Sequence, residues 1–310
     1  MTDNAKMSLL PEKMTFVQRG WLSANHLLLQ DSEETVLIDS GYVSHADQTL
    51  SLIAHALQGR PLDRLFNTHL HSDHCGGNAA LKAQYPHMQT TIAPGLADAV
   101  SSWDQAGLTY VPTGQDCPRF QFDGLMQPGD ELTLAGFAWQ VHAAPGHDPH
   151  SIMLFQPDHA VLVSADALWE NGFGVVFPEI EGEDGFTGIG QTLDLIELLA
   201  PRVVVPGHGA VFTDVQGALD RARNRLQGFK AQPAKHASHA AKVLLKFKLL
   251  DWQHISEAEL WSWCQGCTYL NELHTRFYAQ LDRHDWVMQC MGGLVQAGAA
   301  QRDGVYWVNV

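Results

Sequence analysis

The stretch His69-Leu70-His71-Ser72-Asp73-His74 places four potential metal ligands within six residues. It follows an apolar run at residues 62–66 and precedes a Gly-Gly pair at 76–77. Alternation along an extended backbone puts His69 and His71 on one side, and Asp73 and His74 follow at the turn. Neutral imidazole and carboxylate groups suit Zn²⁺ or a similar first-row ion. We therefore interpret the stretch as a cluster that faces two adjacent metal ions, rather than as a histidine-rich surface loop.

The composition is that of a folded protein with a substantial core. Of the 310 residues, 45% are hydrophobic and 17% are charged, which argues against disorder. No apolar run reaches the roughly 18 residues of a membrane span, and residues 1–13 lack the apolar segment of a signal peptide. The five cysteines are scattered and do not form a secreted disulfide framework. We expect a cytoplasmic protein that does not associate with a membrane.

The net charge of −15 is unevenly distributed. Residues 221–248 carry eight Lys and Arg side chains and no Asp or Glu, so this basic run is +8 and the rest of the chain is −23. The overall acidity disfavours non-specific binding to nucleic acid. The basic run is either a solvated helix face or a contact for an anionic ligand, and the sequence leaves both interpretations open.

Strands and helices are mixed up to about residue 215, and helices dominate beyond it. Strand patterns occur at 15–18, 26–30, 35–39, 62–68, 90–92, 131–142, 151–155, 160–164 and 203–205, and helix patterns at 46–57, 78–83, 94–100 and 185–200. Residues 101–130 resemble a long loop, which often covers a site. Helices are predicted at 214–229, 237–250, 256–264 and 271–281, the third with an S-x-x-E capping box at Ser256 and Glu259. Residues 294–308 are interpreted as a terminal hairpin, which could be the wing of a winged-helix module.

Three further polar side chains stand where apolar strands end. His147 follows Ala-Pro-Gly at 144–146, Asp166 follows the strand at 160–164, and His208 lies between two glycines. Small residues beside them allow the backbone to approach a metal closely. One such histidine would be structural more often than not, but three in the same context indicate that they join the first cluster.

Together these residues resemble the metallo-β-lactamase superfamily of metal-dependent hydrolases. The resemblance covers residues 14–215 and includes Asp39 in Val36-Leu37-Ile38-Asp39-Ser40-Gly41. It implies an α+β fold, an αββα sandwich of two mixed β-sheets flanked by helices, in a catalytic domain of residues 1–215. Residues 216–310 then form a C-terminal, mainly helical and winged-helix-like region.

The resemblance also implies a role for each ligand. His69, His71 and His147 would bind one divalent ion, and Asp73, His74 and His208 would bind a second. Asp166 would bridge the two, as in the glyoxalase II and lactonase branches and unlike most true β-lactamases. Asp39 would orient a ligand histidine through a hydrogen bond. Zn²⁺ is the first expectation for both ions, with Fe and Mn as alternatives.

The expected function is dinuclear hydrolysis of a small molecule, with an anionic substrate as one option. A hydroxide between the metals would attack the acyl carbonyl of a thioester, ester or lactone, and Asp73 would also orient that hydroxide as the catalytic residue. One alternative is a metal-dependent endoribonuclease or phosphodiesterase that uses residues 216–310 to bind nucleic acid. Another is that this region, rich in aromatic residues, is mainly a surface for homo-oligomerisation.

Four other features receive simpler interpretations. His150 is expected to be exposed, Cys75 to be a small buried residue, and Cys264 with Cys267 to pack in a helical core rather than to bind zinc. Residues 101–130 and 169–184 should lie near the metals, and the acidic side chains at 179–184 should disfavour a polyanion there.

Overall fold

Two mixed β-sheets lie face to face in the computed structural model, which describes residues 9–310. The first sheet contains β1 (Met14–Val17), β2 (His26–Gln30), β3 (Thr35–Ile38), β4 (Arg64–Phe66), β5 (Gln89–Ile92) and β6 (Gly124–Leu125), in that order. The pairs β1–β2 and β2–β3 are antiparallel, and the three that follow are parallel. Parallel pairing of β3, β4 and β5 brings the carboxyl ends of these strands to one edge of the sheet.

The second sheet contains the strands of the middle of the chain. These are β7 (Glu131–Leu134), β8 (Phe137–Ala143), β9 (Ile152–Gln156), β10 (Val161–Ala165) and β11 (Val203–Pro206), in the spatial order β11-β10-β9-β8-β7. Only β10 and β11 pair in parallel. The ends of these two strands therefore also point the same way, and they carry Asp166 and His208 just beyond them.

Helices cover the outer face of each sheet. The helices of this part of the chain are α1 (Ala46–Leu57), α2 (Ser72–Cys75), α3 (Asn78–Gln84), α4 (Ala97–Ser102), α5 (Tyr110–Thr113), α6 (Phe177–Glu181), α7 (Gly185–Leu199) and α8 (Val215–Ala231). Of these, α1 and α3 pack on the first sheet, and α7 and α8 pack on the second. Along β2, Leu27 and Leu29 face the second sheet, whereas Leu28 packs with α1 and α3 on the outside. Alternation of this kind buries both faces of a strand. The predicted αββα sandwich of two mixed sheets is confirmed.

The C-terminal region contains α9 (Pro233–Trp252), β12 (His254–Ser256), α10 (Glu257–Gly266), α11 (Thr268–Phe277), α12 (Arg283–Gln296), β13 (Ala300–Asp303) and β14 (Tyr306–Asn309). Its mainly helical character is confirmed, and Ser256 forms the predicted capping box with Glu259. A terminal hairpin is present and β12 joins it to make a three-stranded sheet in the order β12-β14-β13. This arrangement favours the winged-helix interpretation. Among residues 9–310, no helix combines the length and apolarity needed to cross a membrane.

Several details differ from the sequence predictions. Residues 101–130, predicted to be a long loop, contain α5 and β6. Helix α12 was not predicted, and the terminal hairpin therefore begins at Ala300 rather than at residue 294. Helix α8 packs against α7 and the second sheet through residues such as Leu219 and Leu226. The core of the C-terminal region is formed by residues from Ala237 onward, together with Val175 and Ile180. The division into residues 1–215 and 216–310 stays a prediction, and this packing favours a boundary after α8.

Candidate metal centre

All seven candidate ligands lie just beyond the ends of strands, at one edge of the sandwich. His69 and His71 follow β4, and Asp73 and His74 lie in the single turn of α2. His147 follows β8, Asp166 immediately follows β10, and His208 lies two residues beyond β11. Strands from both sheets thus deliver their polar ends to a common point, and the structure brings together every residue that the sequence predicted for the site.

The first group contains three buried histidines whose ring nitrogens converge. His71 Nδ1 lies 3.1 Å from His69 Nε2 and 2.8 Å from His147 Nε2. The three rings stand nearly perpendicular to one another, with interplanar angles of 80° to 88°. Three imidazoles that direct single nitrogens at one point form the donor set of a histidine-ligated cation.

The second group contains Asp73, His74, Asp166 and His208. His208 Nε2 lies 3.1 Å from Asp73 Oδ2, and His74 Nε2 lies 3.5 Å from Asp166 Oδ1. The other oxygen of Asp166, Oδ2, lies 3.8 Å from His208 Nε2 and 3.4 Å from His147 Nε2. Asp166 therefore contacts both groups, and its carboxylate stands between them.

Hydrogen bonds on the outer side of the rings fix which nitrogens face inward. His147 Nδ1 donates to the Val175 carbonyl at 2.5 Å, which leaves its Nε2 as an acceptor. His74 Nδ1 donates to Asp39 Oδ2 at 2.8 Å, and its Nε2 is buried without a hydrogen-bond partner. Thr68 holds Asp39 in place through its backbone N–H and its hydroxyl, both at 2.9 Å. Buried ring nitrogens that converge while their outer nitrogens are already hydrogen-bonded fit divalent cations.

Burial and neighbouring charges keep His69 and His71 neutral and Asp166 ionised. For His74, burial opposes protonation, but the charges of Asp39 and Asp166 outweigh it and raise the pKa well above 6.5. Burial, followed by the charges of His74, His71 and His147, lowers the pKa of His69 well below 6.5. Burial and then His147 lower the pKa of His71 to about 4. Burial opposes ionisation of Asp166, but His208 and His74 outweigh it and hold the pKa of this carboxyl well below its usual value. Metals bind neutral imidazole and ionised carboxylate, so His74 must release a proton when a metal binds.

Three residues near the site were not among the predicted site residues, although Trp169 begins the segment 169–184 that was expected near the metals. Asp148 is buried, and its Oδ2 lies 3.6 Å from His71 Nε2. Trp169 donates its indole N–H to Asp166 Oδ1 at 3.1 Å. Trp21, which is 56% exposed, stacks on the His208 ring at 5.3 Å with an interplanar angle of 6°. Asp148 could have been predicted, because it directly follows His147 in the sequence. Trp21 is distant from the ligands in the sequence, and only the folded structure places it at the site.

The simpler interpretations of the other motifs hold. His150 is exposed, and Cys75 is buried against Tyr110. Cys264 and Cys267 are buried in the C-terminal core and belong to no metal-ligand cluster in the described part of the chain.

Both predicted flanking segments reach the cleft over the ligands. This cleft has a volume of about 90 Å³, and its lining includes Gln115 from one segment and Phe177 from the other. The acidic side chains at 179–184 do not line this cleft, and their expected effect on a polyanion stays a prediction. Glu179 and Asp184 accept hydrogen bonds at the start of α7, and Glu181 accepts one from Tyr269.

Comparison with known proteins agrees with this geometry. The sequence profile of the Metallo-beta-lactamase superfamily matches residues 19–208 of the chain. The chain belongs to this superfamily. The matched segment contains all seven candidate ligands and ends at His208, and the C-terminal region lies beyond it.

Individual relatives are similar over part of their length. A hydroxyacylglutathione hydrolase of Brucella anthropi is 29% identical over 172 residues, which cover 54% of this chain and 52% of the relative. A mitochondrial persulfide dioxygenase of Bos taurus is 28% identical over 145 residues, 47% of each protein. The chain thus spans about half the length of the curated relatives it matches.

Solved structures show a likeness of fold that extends through the C-terminal region. A metallo-beta-lactamase family protein of Thermus thermophilus superposes with a TM-score of 0.55 at 20% identity, covering 96% of this chain and 98% of its own. A beta-lactamase domain protein of Burkholderia ambifaria gives 0.57 at 18% identity, with 96% and 91% covered. The B3 metallo-beta-lactamase BLEG-1 covers only 67% of this chain. The fold of residues beyond the sandwich is therefore shared with some superfamily members and not with others.

Proposed function

We propose that this protein is a dinuclear metal-dependent hydrolase of acyl compounds, namely thioesters, esters or lactones. The observation that carries the proposal is the position of Asp166 between two groups of ligand atoms, within 3.4 Å of His147 and 3.5 Å of His74. A carboxylate in that position can serve two cations at once. The similarity to proteins named hydroxyacylglutathione hydrolase supports a thioester as the first substrate class to test.

The ligand assignment follows the two groups. His69, His71 and His147 would hold one divalent ion, and Asp73, His74 and His208 would hold the other, with Asp166 common to both. When bound, such a pair of cations supplies Lewis acidity and activates water for attack on a carbonyl carbon. Zn²⁺ fits the donor set, as do Fe and Mn, because imidazole and carboxylate accept all three.

The chain's own residues position and shield the reaction. Asp73 is the least buried carboxylate of the set, with 13% of its side chain exposed, and its Oδ2 faces His208. It is the proposed catalytic residue, because an ionised carboxylate at the open side can accept a hydrogen bond from the attacking water and orient it. Trp21, Trp169 and Phe177 line the cleft and limit the access of bulk water.

A substrate panel with purified full-length protein tests the proposal. Acetyl thioesters, a lactone, a phosphodiester and single-stranded RNA are each incubated with Zn²⁺, Mn²⁺ or Fe²⁺, alongside a low-molecular-weight persulfide with oxygen consumption as readout. We expect hydrolysis of at least one acyl substrate and two metal ions per chain. Cleavage of RNA alone, or oxygen uptake with the persulfide alone, would overturn the acyl-hydrolase proposal.

The nuclease alternative has weaker support. The total charge is −15, and three cations of the basic run are ion-paired on the protein rather than exposed on one face. The oligomerisation alternative is also not favoured, because most C-terminal aromatic residues pack into the core of their own region. Among the described C-terminal aromatic residues, only Trp252 and Tyr306 are exposed, at 42% and 40%.

Asp39→Asn is expected to weaken metal binding without unfolding the protein. An amide at this position can still meet Thr68 but no longer carries the charge that orients His74 through the 2.8 Å bond. Loss of such an outer partner lowers metal affinity or activity by about 10- to 100-fold. Competition titration with a chromophoric chelator measures the affinity, and Asp47→Asn, an exposed change on α1, is the control. Equal metal affinity in the two variants would show that Asp39 has no such role.

A further inference from the structure

A second and larger cavity adjoins the metal cleft. It is a groove of about 540 Å³, compared with about 90 Å³ for the cleft, and both are lined by Trp21, Trp169 and His208. A cleft of the smaller volume accommodates little more than the group that reacts. The remainder of a substrate would therefore extend into the groove, which we call the α9 groove because α9 provides much of its wall.

The α9 groove combines an apolar wall with cations. Val243, Phe247 and Leu250 from α9 and Leu294 from α12 form the apolar part. Arg225, Lys242 and Lys246 also line it, and all three belong to the basic run predicted to be either a solvated face or an anion contact. Glu170 is the one carboxylate among the described residues that line the groove.

The cations in the α9 groove differ from their neighbours in the basic run. Arg221 pairs with Asp214, Arg223 with Asp194 and Glu197, and Lys248 with Asp251. Within residues 9–310, no carboxylate side chain lies within 4.0 Å of the nitrogens of Arg225, Lys242 or Lys246. Three cations outside the groove are thus paired with carboxylates, whereas Arg225 and Lys242 inside it are not. Lys246 also donates to the Val310 O atom.

Two of these cations are available to a ligand. Lys246 donates to the Ala299 carbonyl and to Asn309 Oδ1, so it ties α9 to the terminal hairpin. Arg225 contacts only neutral groups, the Asn171 carbonyl and His239, and its guanidinium lies over Phe173 and Phe229. Lys242 makes no hydrogen bond within the described chain. A half-buried cation without a counter-ion is stabilised when an anion binds beside it.

We infer that the α9 groove binds the leaving-group portion of the substrate, an apolar segment that carries a carboxylate or phosphate, with the anion held by Arg225 and Lys242. This inference rests on the proposed function, since it assumes that the bond to be cleaved lies at the metal centre. The apolar wall favours an aliphatic segment, and the two cations favour one anionic group rather than a polyanion. The inference names the substrate class that the metal centre alone leaves open.

Binding of non-reactive probes tests the α9 groove independently of turnover. Octyl phosphate, octanoate and octanol are titrated into the metal-loaded protein by calorimetry. Charge-assisted hydrogen bonds should make one or both anions bind about 10- to 100-fold more tightly than octanol. The difference between octyl phosphate and octanoate then identifies the anion.

Variants locate the anion. Lys242→Glu should abolish the preference for the anionic probe, and Lys242→Met, which keeps the apolar stem, should reduce it by about tenfold. Lys235→Glu is the matched control, because Lys235 lies exposed on the same helix and outside the groove. An anion preference that persists in Lys242→Glu would mean that the probe binds the metals instead, and the inference would be wrong.

A kinetic comparison separates this inference from the proposed function. Acetyl thioesters of 6-mercaptohexanoate and 6-mercaptohexanol share the bond that is cleaved and differ only in the anion. We expect a lower KM for the anionic substrate and loss of that advantage in Lys242→Glu, with kcat little changed.

The outcomes of the two arms are distinct. Turnover of both thioesters with equal KM refutes the groove inference and leaves the proposed function standing. Selective binding of the anionic probes without any turnover refutes the proposed function and leaves the groove as an anion site. Displacement of the probes by single-stranded RNA, but not by excess inorganic phosphate, would overturn the small-molecule assignment.

Discussion

Replacing Asp166 with Ala should remove most turnover and leave one tightly held metal ion per chain. Its carboxylate contacts both ligand groups. Among the described residues of the centre, no other carboxylate lies within 4.0 Å of histidines from both groups. The first group keeps its three histidines in the variant, but the second loses a ligand. One cation contributes several kcal/mol to stabilising the transition state. Since each ~1.4 kcal/mol changes a rate tenfold, kcat/KM should fall by at least about 10²-fold.

Metal content and turnover are measured together after gel filtration. Asp158→Ala is the control, because Asp158 is an exposed aspartate in the turn between β9 and β10, close in sequence and distant from the ligands. The control should retain two ions and full activity. If Asp166→Ala also retained two ions and full activity, the bridging role of this carboxylate would be refuted, and with it the reason for placing the two groups in one dinuclear centre.

The ligand set was predictable because its signals are local. Each candidate follows the end of an apolar strand, and His147, Asp166 and His208 have small residues or proline beside them. The hydrophobic pattern alone locates such strand ends. His147, Asp166 and His208 lie far apart in the sequence, and the resemblance to a known superfamily indicated that they converge. The structure shows that these residues converge. Their binding of metal stays a prediction.

Features that depend on contacts between distant elements were not predictable. Helix α12 contains Gly292-Gly293, and each glycine disfavours a helix by about 1 kcal/mol relative to alanine. The structure shows a reason for Gly293, since a Cβ there would lie 2.9 Å from Lys242 Nζ. A local signal did exist, because Asp282 caps the helix by accepting a hydrogen bond from the Asp285 N–H.

The ion pairs of the basic run were not predictable from the sequence for the same reason. The sequence gives eight cations within 28 residues and cannot say which of them meet a carboxylate. Arg223 finds Asp194 and Glu197 on the neighbouring helix α7, whereas Arg225, two residues later, turns toward the α9 groove. The structure therefore distinguishes cations that are ion-paired from cations that line the groove, and an anion contact in the groove stays a proposal.

Gly207→Ala should impair the metal centre almost as strongly as the loss of a ligand. A Cβ at this position would lie 2.2 Å from Asp166 Oδ1 and 3.0 Å from His74 Cε1. Two hydrogen bonds hold the backbone of Gly207 in place. The Gly207 N–H donates to the Ala165 carbonyl and the Gly207 carbonyl accepts from the Asn25 N–H, both at 2.7 Å. The carboxylate of Asp166 must therefore move. A displacement of about 1 Å in a reacting assembly costs about 10²-fold in rate.

Gly228→Ala is the matched control for this substitution. Gly228 lies within α8, and a Cβ there would meet no atom within 4 Å. Alanine should stabilise that helix by up to about 1 kcal/mol and leave activity unchanged. Thermal unfolding, metal content and kcat/KM are compared for the two variants. We expect Gly207→Ala to fold, to bind the second ion weakly and to lose activity. Wild-type activity in Gly207→Ala would mean that the carboxylate can shift freely, so its position between the two groups would not be what the reaction requires.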